Sequence, residues 1–447
     1  MNRKMNRLST LLVFLLVISG LQSPAATIKV SSLKQLAHYA KLSNNTIVMK
    51  PGTYKMTDYL IADSVTSRLN SKSFIYMIFS GNNNKYKLNG VTIEIDTRLR
   101  EQLKFPIHTN EIELGGNNNT MEGLYIRNVN NGLSAGGATF NVSGTGNTIR
   151  NFKLWVQGSF PYGYGDLFGK GGPDVIRHKK QSGFLITGSN TRVYGCKLYM
   201  RSFGHGFYIQ KDAGNIHFED CYVEGEIRRT EDVLSETSGP AFDVNFRTWT
   251  VNREGKYIVT PGYMKSLCED GYRTYNQNKN ISFKNCTAKN TRAGFELRTN
   301  GGVRIENCTA IGTERAYWVG NDALIKGSRG DANYGPLLFV EGNNVNVELE
   351  VLPFESDRVV HALATIQGVG NKVVLRDSKR GIRKKALPVL IGYTHPEHGE
   401  AMSPYSPALV ENLHFINKTD MPVLIGNTAI NCRIESAGVV KESNEVF

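Results

Sequence analysis

Residues that can transfer protons stand together in segment 203–210 of this chain. His205 lies between Gly204 and Gly206, and Tyr208 follows three residues after the histidine. Histidine exchanges a proton near neutral pH and a tyrosine hydroxyl can donate one, so the pair predicts a site at which a proton is moved. The glycines would let a substrate approach the imidazole closely. A histidine packed for structure alone is the competing interpretation.

Arginines and carboxylates alternate farther along the chain. Asp270 precedes Arg273 by three residues, and Glu296 precedes Arg298 by two. Arginine presents a planar fork that matches the carboxylate of a uronic acid, and neutralising that carboxylate acidifies the adjacent C5 proton. The pattern therefore predicts an anion clamp. The structural alternative is a ladder of surface ion pairs, which would add little stability.

β-Elimination is the first of two reactions that these residues fit. It needs a group that neutralises the uronate, a base for the C5 proton and an acid for the leaving oxygen. Arg273 with Asn245 would neutralise the carboxylate, and His205 or Tyr208 would carry the proton. If the proton were returned and the chain left intact, the reaction would be an epimerisation, and the residues do not distinguish the two outcomes.

Glycoside hydrolysis is the second reaction. It needs two carboxyl groups, one on each side of the scissile bond. The candidates are Asp243, Asp270 and Glu296. The same carboxylates offer the hard oxygen ligands that Ca²⁺ prefers, but no compact calcium-loop motif accompanies them, so calcium stays open as a cofactor.

A repeated strand pattern must position these residues. An alternating apolar strand, a turn with Gly or Asn and a second alternating strand recur at intervals of about 25 residues, or at multiples of that interval with inserted loops. Asparagine suits such turns because it tolerates left-handed backbone angles and can hydrogen-bond along a stack. The pattern predicts a solenoid of stacked coils. The turn asparagines are Asn119, Asn147, Asn190, Asn215, Asn280, Asn344, Asn371 and Asn427.

The second strand of each repeat contributes one residue to an apolar row that should point into the core. Coils stacked about 4.8 Å apart would share this core, because a single coil cannot bury its apolar face alone. Five of the six cysteines fall in the row, which predicts buried free thiols, whereas Cys268 lies in an insertion. The row consists of Val91, Leu124, Phe152, Cys196, Cys221, Cys286, Cys308, Leu413 and Cys432.

The residues that precede the first repeats are predicted to form a cap on the solenoid. Residues 31–42 have the apolar spacing of a short amphipathic helix, and residues 45–56 read as a strand followed by a Pro-Gly-Thr-Tyr turn. With the asparagine turns and stacked coils, the chain resembles the right-handed parallel β-helix superfamily of pectate-lyase-like carbohydrate enzymes. The resemblance implies an all-β right-handed parallel β-helix with an N-terminal capping helix and long loops on one side.

The same resemblance bears on chemistry. Several lyases of the superfamily use calcium to neutralise their substrate. The resemblance therefore makes calcium a candidate cofactor. The Gly-His-Gly run around His205 is similar to a segment of polygalacturonases. The Asn-Thr-Asp and paired-Asp motifs of those hydrolases are absent, so the function has to be argued from the site.

The coil alignment assigns the residues that should point outward, since side chains alternate along a strand. The inward residues are taken as Phe184, Phe207, Phe242, Tyr272, Phe295 and Tyr317. The next outward row is Leu185, Tyr208, Asp243, Arg273, Glu296 and Trp318, and the following one is Thr187, Gln210, Asn245, Tyr275, Arg298 and Gly320. A third set, before each strand, contains His205, Asp270 and Arg315. Asp243 would lie roughly 5 Å from Asp270 and roughly 10 Å from Glu296, so either pair fits hydrolysis.

Insertions interrupt the repeats at residues 153–182, 226–240 and 247–270. Loops on one edge of a rigid scaffold commonly carry binding groups, so the insertions are predicted to wall a groove. The basic residues that would meet carboxylates or sulfates there are Arg177, Lys179 and Lys180. The aromatic residues that would either stack on sugar rings or pack the loop are Tyr162, Tyr164 and Phe168.

Composition and the N-terminal segment predict a globular protein and its cellular compartment. The 447 residues include 53 Lys and Arg against 40 Asp and Glu, and 40% are hydrophobic, which excludes a disordered chain. Three basic residues, an apolar run and small residues up to Ala26 predict a signal peptide over residues 1–26, too short for a membrane span. Residues 27–447 are then one β-helix domain. We expect an exported bacterial protein, periplasmic or secreted, and a monomer.

A basic exported protein favours acidic polysaccharide over nucleic acid as its partner. An acidic-polysaccharide lyase accounts for the charge, the arginines and the His–Tyr pair together, and is the predicted function. A glycoside hydrolase is the alternative, and a non-catalytic glycan-binding β-helix the second alternative. The predicted catalytic residues are His205, Tyr208, Arg273, Asp243, Asp270 and Glu296. The predicted substrate-binding residues are Lys179, Lys180, Asn245, Gln210, Arg298, Arg315 and Trp318.

Overall fold

Parallel strands dominate the structure, a computed structural model that describes residues 26–60, 74–101, 109–132, 136–171, 175–378, 385–396 and 402–443. Nearly all of the predicted signal peptide lies outside these residues. The strands belong to coils stacked along one axis, and the predicted right-handed parallel β-helix is confirmed. No helix of the described residues is long and apolar enough to cross a membrane.

One face of the coils is a parallel sheet of 13 strands within the described residues. Each strand pairs with the equivalent strand of the next coil, which places equivalent residues in rows along the stack. We call this sheet the site sheet. Its strands are Met77–Phe79, Thr109–Leu114, Gly137–Val142, Gln181–Ile186, Phe207–Ile209, Tyr272–Arg273, Ala293–Leu297, Arg315–Val319, Leu338–Val340, Ala364–Ile366, Val389–Ile391, Val423–Ile425 and Val440–Glu442.

The other faces are two parallel stacks, which the strand Leu324–Gly330 joins into one sheet of 22 strands among the described residues. The first stack consists of Ala26–Val30, Asn45–Met49, Lys85–Lys87, Thr120–Glu122, Thr148–Arg150, Arg192–Tyr194, Gly214–Glu219, Lys279–Lys284, Gly301–Glu306, Leu324–Gly330, Asn346–Val351, Lys372–Asp377, His414–Lys418 and Arg433–Ser436. The second consists of Gly52–Lys55, Val91–Asp96, Tyr125–Val129, Lys153–Gln157, Lys197–Arg201, Tyr222–Glu224, Thr287–Lys289 and Thr309–Ile311.

The remaining elements are short. The capping helix Leu33–Tyr39 begins where the Ser32 hydroxyl accepts the Gln35 N–H, and it buries its apolar face on the first coils. The other helical segments are Met56–Tyr59, Thr230–Leu234, Pro240–Asp243 and the 3₁₀ turn Thr97–Arg100. The small sheets pair Ile227–Arg229 with Met264–Ser266, Tyr393–Thr394 with Ser406–Pro407, and Gly368–Val369 with Val410–Glu411 and Ala429–Ile430.

Aromatic rings form a column in the core directly behind the site sheet. Phe207, Tyr272, Phe295 and Tyr317 stack in succession with centroid separations of 5.2, 4.7 and 5.2 Å and interplanar angles of 5°, 7° and 3°. All four rings are buried. Because neighbouring residues alternate between the two faces, this column fixes the next residue of each strand on the outer face of the sheet.

The apolar row and the asparagine turns behave as predicted. Four cysteines of the row, Cys196, Cys221, Cys286 and Cys308, are buried, Cys432 is half-buried, and all six cysteines are free thiols. Asn190 and Asn215 adopt positive φ angles of 58° and 57°. Asn147 instead reaches along the stack, where its Oδ1 accepts the Asn119 N–H at 2.8 Å. These contacts satisfy backbone groups that a turn would otherwise leave unpaired.

Candidate active site

The outer face of the site sheet carries a continuous row of functional side chains. The strand register pairs Leu185 with Tyr208, Tyr208 with Arg273, Arg273 with Glu296, and Glu296 with Trp318. The predicted row is therefore confirmed at these positions. It places the tyrosine hydroxyl, the guanidinium and the carboxylate side by side over the aromatic column of the core.

Asp243 does not belong to this row, and its predicted position was wrong. The strand at Phe207 pairs directly with the strand at Tyr272, so the residues between them leave the coil as an insertion. Asp243 ends the short helix Pro240–Asp243, and the preceding Phe242 is 48% exposed where an inward position was predicted. The predicted spacings of Asp243 from the other carboxylates therefore do not exist.

The predicted position of Asn245 was wrong for the same reason. Its side chain is exposed and its φ is 51°, in the turn that follows the same helix. The helix itself begins after Gly239, whose φ of 93° allows the chain to bend into Pro240 at the first helical position. Asn245 is thus not an outward strand residue beside Arg273, and the predicted shared role of the two in neutralising a carboxylate loses its geometric basis.

His205 and Asp270 occupy equivalent corners of neighbouring coils. The imidazole Nδ1 lies 3.2 Å from Asp270 Oδ2, and Nε2 lies 3.5 Å from Glu269 Oε2. The ring centroid is 5.5 Å from that of Tyr208. Both ring nitrogens thus face carboxylates, and the histidine is 13% exposed toward the pocket described below.

The glycines beside His205 have another role than the predicted one. A Cβ on Gly204 would lie 2.4 Å from the Gln181 carbonyl oxygen, and one on Gly206 would lie 2.7 Å from a methyl group of Val223. Both approaches are shorter than van der Waals contact. The glycines therefore let neighbouring coils pack closely at the corner, rather than opening a path for a substrate.

Two buried carboxylates support His205, and both are ionised. Burial alone would raise the pKa of Glu269, but His205, Lys180 and Arg292 lower it to about 2. Burial opposes ionisation of Asp270 as well, while Arg292, His205 and Arg273 hold its pKa well below the ordinary value. Opposite charges at hydrogen-bond distance outweigh desolvation here.

Glu296 is a carboxylate of the row and is paired with three arginines. Its Oε1 contacts Arg273 and lies 3.1 Å from Arg298 Nη2, and its Oε2 lies 3.0 Å from Arg315 Nη2. The carboxylate is 2% exposed. Three guanidinium groups converge on one carboxylate, which leaves a local excess of positive charge.

His205, Glu269 and Glu296 with its arginines line a pocket with a volume of about 500 Å³, whereas Tyr208 and Asp270 are absent from its lining. Its cations differ in access: the side chain of Arg298 is 32% exposed and that of Arg273 12%, whereas Arg315 is 1% exposed. The cationic residues of the lining are Lys170, Lys180, Arg273, Arg292, Arg298 and Arg315. The other lining residues are His205, Glu269, Glu296, Trp318 and His395.

The predicted binding residues divide into those at the pocket and those away from it. Lys180 lies at the pocket, where its Nζ is 2.8 Å from Glu269. Lys179 is exposed and absent from the pocket lining; its backbone pairs with Phe160 instead. Gln210 is exposed at the turn after its strand and is likewise absent from the lining.

Trp318 lines the pocket but is 2% exposed, so its ring face is not available to a sugar. Arg298 and Arg315 cover it, with guanidinium carbons 4.4 and 5.1 Å from the ring centroid. Its indole N–H donates to Glu341 at 2.7 Å. The tryptophan therefore holds the guanidinium of Arg298 in place by cation–π contact.

The insertion aromatics mostly pack the loop. Tyr164 and Phe168 are buried in a small apolar cluster of the insertions, with ring centroids 5.3 Å apart. Tyr162 is half-buried, and its hydroxyl donates to Glu226. For Tyr164 and Phe168 the structural interpretation is the correct one.

Sequence reasoning missed several residues at or behind the pocket. Asp166 accepts from Lys265 Nζ at 2.8 Å and from Arg292 Nη1 at 3.0 Å, and Lys265 also contacts Glu314 at 2.6 Å. This buried network ties two insertions to the coils. Arg292 could have been found, because it is a basic residue immediately before a strand, whereas Asp166 and Lys265 follow no repeat. Lys170, Glu269 and His395 were also missed.

Within the described ranges, no group of three or more His, Cys, Asp or Glu side chains is arranged to hold a metal ion. The carboxylates at the pocket contact arginine, lysine or histidine. They do not offer calcium a ready set of ligands, and no step below is routed through a metal.

No protein-family model and no curated protein matches the chain. Among solved structures, it is similar to the mannuronan C-5 epimerase AlgE6 A-module of Azotobacter vinelandii, with 9% identity, coverage of 92% of each chain and a TM-score of 0.47. A PL6 alginate lyase in complex with a trisaccharide has 11% identity and a TM-score of 0.49, over 95% of this chain and 89% of that one.

An endo-xylogalacturonan hydrolase from Aspergillus tubingensis has 11% identity and a TM-score of 0.39, over 93% of each chain. The three proteins catalyse different reactions by their names. At these identities and TM-scores, the similarities do not identify a reaction or a substrate for this chain.

Proposed function

We propose that the protein is an exported lyase that cleaves an acidic, uronate-containing polysaccharide by β-elimination. The observation that carries the proposal is the cationic pocket, in which partly exposed arginines and lysines lie beside His205, whose ring centroid is 5.5 Å from that of Tyr208. Export rests on the apolar N-terminal run, and N-terminal sequencing of the mature protein tests it. A mature chain that still begins at Met1 would contradict export.

The pocket can neutralise a carboxylate of the substrate. The Nε–H groups of Arg273 and Arg298 are shielded from solvent and have no hydrogen-bond partner among the described residues, so a substrate has to meet the exposed part of each guanidinium. Both guanidiniums already share Glu296, so their remaining donors are held in fixed directions. A uronate carboxylate that met the exposed part of Arg298, which is 32% exposed, or of Arg273 would be bound by charge-assisted hydrogen bonds, and its C5 proton would become more acidic.

His205 is the proposed base and Tyr208 the proposed acid. Asp270 lies 3.2 Å from Nδ1 and Glu269 lies 3.5 Å from Nε2, and we assign the proton transfer to Nε2, beside the Glu269 carboxylate that lines the pocket. Burial raises the pKa of Tyr208, so its hydroxyl stays protonated and can donate. His205 removes the C5 proton, its electron pair forms the C4–C5 double bond, the C4–O bond breaks, and the leaving oxygen takes the proton of Tyr208. No water is consumed.

Hydrolysis is less well supported by the same geometry. It requires a carboxylic acid that is protonated at working pH, opposite a second carboxylate. Asp270 has a depressed pKa, Glu296 is shared by three arginines, and Asp243 lies in an insertion helix away from the row. The hydrolase and the binding module stay as alternative outcomes of the test below.

Two assays run in parallel test the function. The purified mature protein is incubated with polymannuronate, polyguluronate, polygalacturonate and a glucuronate polysaccharide, and ultraviolet absorbance of the unsaturated product and new reducing ends are measured. A rise in both is expected. New reducing ends without a rise in absorbance would indicate hydrolysis. No signal in either assay with any of the polymers would contradict a lyase. A changed C5 configuration in NMR spectra without cleavage would indicate epimerisation.

A matched pair of variants locates the activity. Arg273→Gln should lower the elimination rate by about two to three orders of magnitude, since it removes the neutralising guanidinium. Arg304→Gln is the control, because Arg304 lies on the 22-stranded sheet and is 59% exposed beside Glu306. Equal rates in the two variants would place the chemistry elsewhere.

A further inference from the structure

Directly beyond Trp318, the outward row of the site sheet consists of three buried residues without charge. The next positions in register are Phe339, Thr365 and Leu390, and they are 3%, 1% and 0% exposed. On the other side of the pocket, Tyr208 is half-buried, and the next two positions in register, Leu185 and Asn141, are 7% and 3% exposed. The outward row is therefore covered on both sides of the pocket, which is a depression bounded along the sheet.

A hairpin covers the C-terminal side. The strands Tyr393–Thr394 and Ser406–Pro407 pair antiparallel, and Tyr393 and Tyr405 pack on Trp318, Phe339 and Leu390 in one buried cluster. A polysaccharide that followed the sheet could not continue across this cluster without unpacking it.

Contacts with an insertion hold this cover in place. The Ser403 hydroxyl donates to the Val251 carbonyl oxygen at 2.6 Å, and the Arg253 guanidinium lies 5.7 Å from the Tyr405 ring centroid. The described residues of the cover thus contact a second loop, and we call this cover the wall.

His395 forms the pocket surface of that wall. Its ring lies 3.8 Å from the centroid of Trp318 and 5.2 Å from that of Phe339, nearly perpendicular to both. Nδ1 is 3.1 Å from the Thr394 hydroxyl, while Nε2 is shielded from solvent without a hydrogen-bond partner among the described residues. A buried polar atom without a partner is costly, so a ligand atom that completed its hydrogen bonding would be favoured.

The protonation state of His395 suits a neutral ligand group. Burial, with help from Arg315 and Arg298, lowers its pKa to about 3. The imidazole is therefore neutral at working pH, and Nε2 can donate or accept one hydrogen bond according to its tautomer. A sugar hydroxyl can meet either need.

We propose that the pocket binds the end of the polysaccharide chain, with a hydroxyl of the terminal sugar on His395 Nε2, so that the enzyme releases short products from chain ends. The proposal rests on the lyase function and specifies how that site meets its substrate. From Tyr208 to Trp318 the row spans three strand spacings, roughly 14 Å, which is room for a short oligosaccharide.

The first test follows viscosity and ultraviolet absorbance together on the polymer that gives the strongest signal. Cleavage from ends should raise absorbance while viscosity falls slowly, and size-exclusion chromatography should show small products from the earliest times. A steep fall in viscosity at low absorbance, with products of intermediate length, would overturn the proposal while leaving the lyase function intact.

Binding stoichiometry tests chain-end recognition without catalysis. Tyr208→Phe keeps the shape of the pocket and removes the proposed acid, so it should bind uronate oligosaccharides without consuming them. Calorimetric titration with oligosaccharides of increasing length should give a constant number of protein molecules per chain. A number that grows with chain length would overturn the proposal, and so would an absence of binding to every uronate polymer.

Variants at His395 complete the test. His395→Ala should raise KM for short oligosaccharides about fivefold with little change in kcat, since one hydrogen bond to bound substrate is lost. His395→Gln can supply an amide at a similar reach and should restore most of the affinity. His414→Ala, on the 22-stranded sheet, is the control. An unchanged KM in a folded His395→Ala protein would overturn the role of His395.

Discussion

The same three kinds of side chain meet on two faces of the solenoid with nearly the same distances. On the 22-stranded sheet, Glu219 lies 3.4 Å from His217 Nε2 and 2.7 Å from Lys284 Nζ. The carboxylate there is 25% exposed and the lysine 46%. This trio is an ordinary solvated cluster.

At the pocket, Glu269 lies 3.5 Å from His205 Nε2 and 2.8 Å from Lys180 Nζ. Here the carboxylate is 3% exposed, and Asp270 and Arg292 stand behind it. The two trios differ in burial and in the charges that surround them, and not in the contacts themselves.

Burial and surrounding charge separate the trio at the pocket from the trio on the solvated sheet. Charges that are screened by water interact weakly, whereas charges in a buried, mutually paired group interact strongly and hold each other in fixed positions. The pKa of Glu269 falls to about 2, while that of Glu219 is lowered by the hydrogen bond from Lys284 at an exposed position. Strongly shifted ionisable groups in a pocket are candidates for function.

The largest expected effect is on catalysis and compares the two histidines. His205→Gln should lower the elimination rate about a thousandfold, because it removes the proposed base while keeping a polar side chain. His217→Gln should leave the rate unchanged, since His217 contacts Ser282 and Glu219 on the other sheet. The rate is measured from the ultraviolet absorbance of the product.

Thermal unfolding of both histidine variants serves as the control for folding. A His205→Gln protein with wild-type stability and wild-type rate would remove the chemical distinction between the two trios. A loss of rate that follows a loss of stability would make His205 a structural residue.

The second expected effect is on stability and compares the carboxylates. Asp270→Asn should destabilise the protein by about 3 kcal/mol, because it leaves Arg292 with a buried, partly uncompensated charge. Glu219→Gln should cost less than about 0.5 kcal/mol, since its partners are solvated. Denaturant unfolding of the two variants measures both values. Equal costs would show that burial does not govern the strength of these pairs.

The row of functional residues could be predicted from the sequence because alternation along a strand and register between coils are periodic. Tyr208, Arg273, Glu296 and Trp318 fall in line once the inward aromatic residues are recognised. Asp243 was misplaced because the periodic pattern was continued through an insertion, where Phe242 only resembles an inward residue.

Contacts made by the insertions could not be predicted in this way. Lys265 meets Asp166 and Glu314, which are 99 and 49 residues away in the chain, and no repeat relates the three. The wall at His395 likewise depends on how a C-terminal hairpin folds back on the sheet. Periodicity therefore predicts the scaffold and the floor of the site, but not the buried charge network or the closed end.

The smallest expected effect is the pH dependence of stability, and it again compares Glu269 with Glu219. The pKa of Glu269 is about 2 in the folded protein against an ordinary value of 4.5. A depressed folded pKa contributes stability above the ordinary value, and this contribution is lost as pH falls from 4.5 toward 2. The difference in Tm between wild type and Glu269→Gln should therefore shrink by about 2 °C or more over that window. The Tm of Glu219→Gln should change with pH as the Tm of the wild type does. If the Tm values of all three proteins changed in parallel with pH, burial among cations would give the ionised Glu269 no stabilising effect.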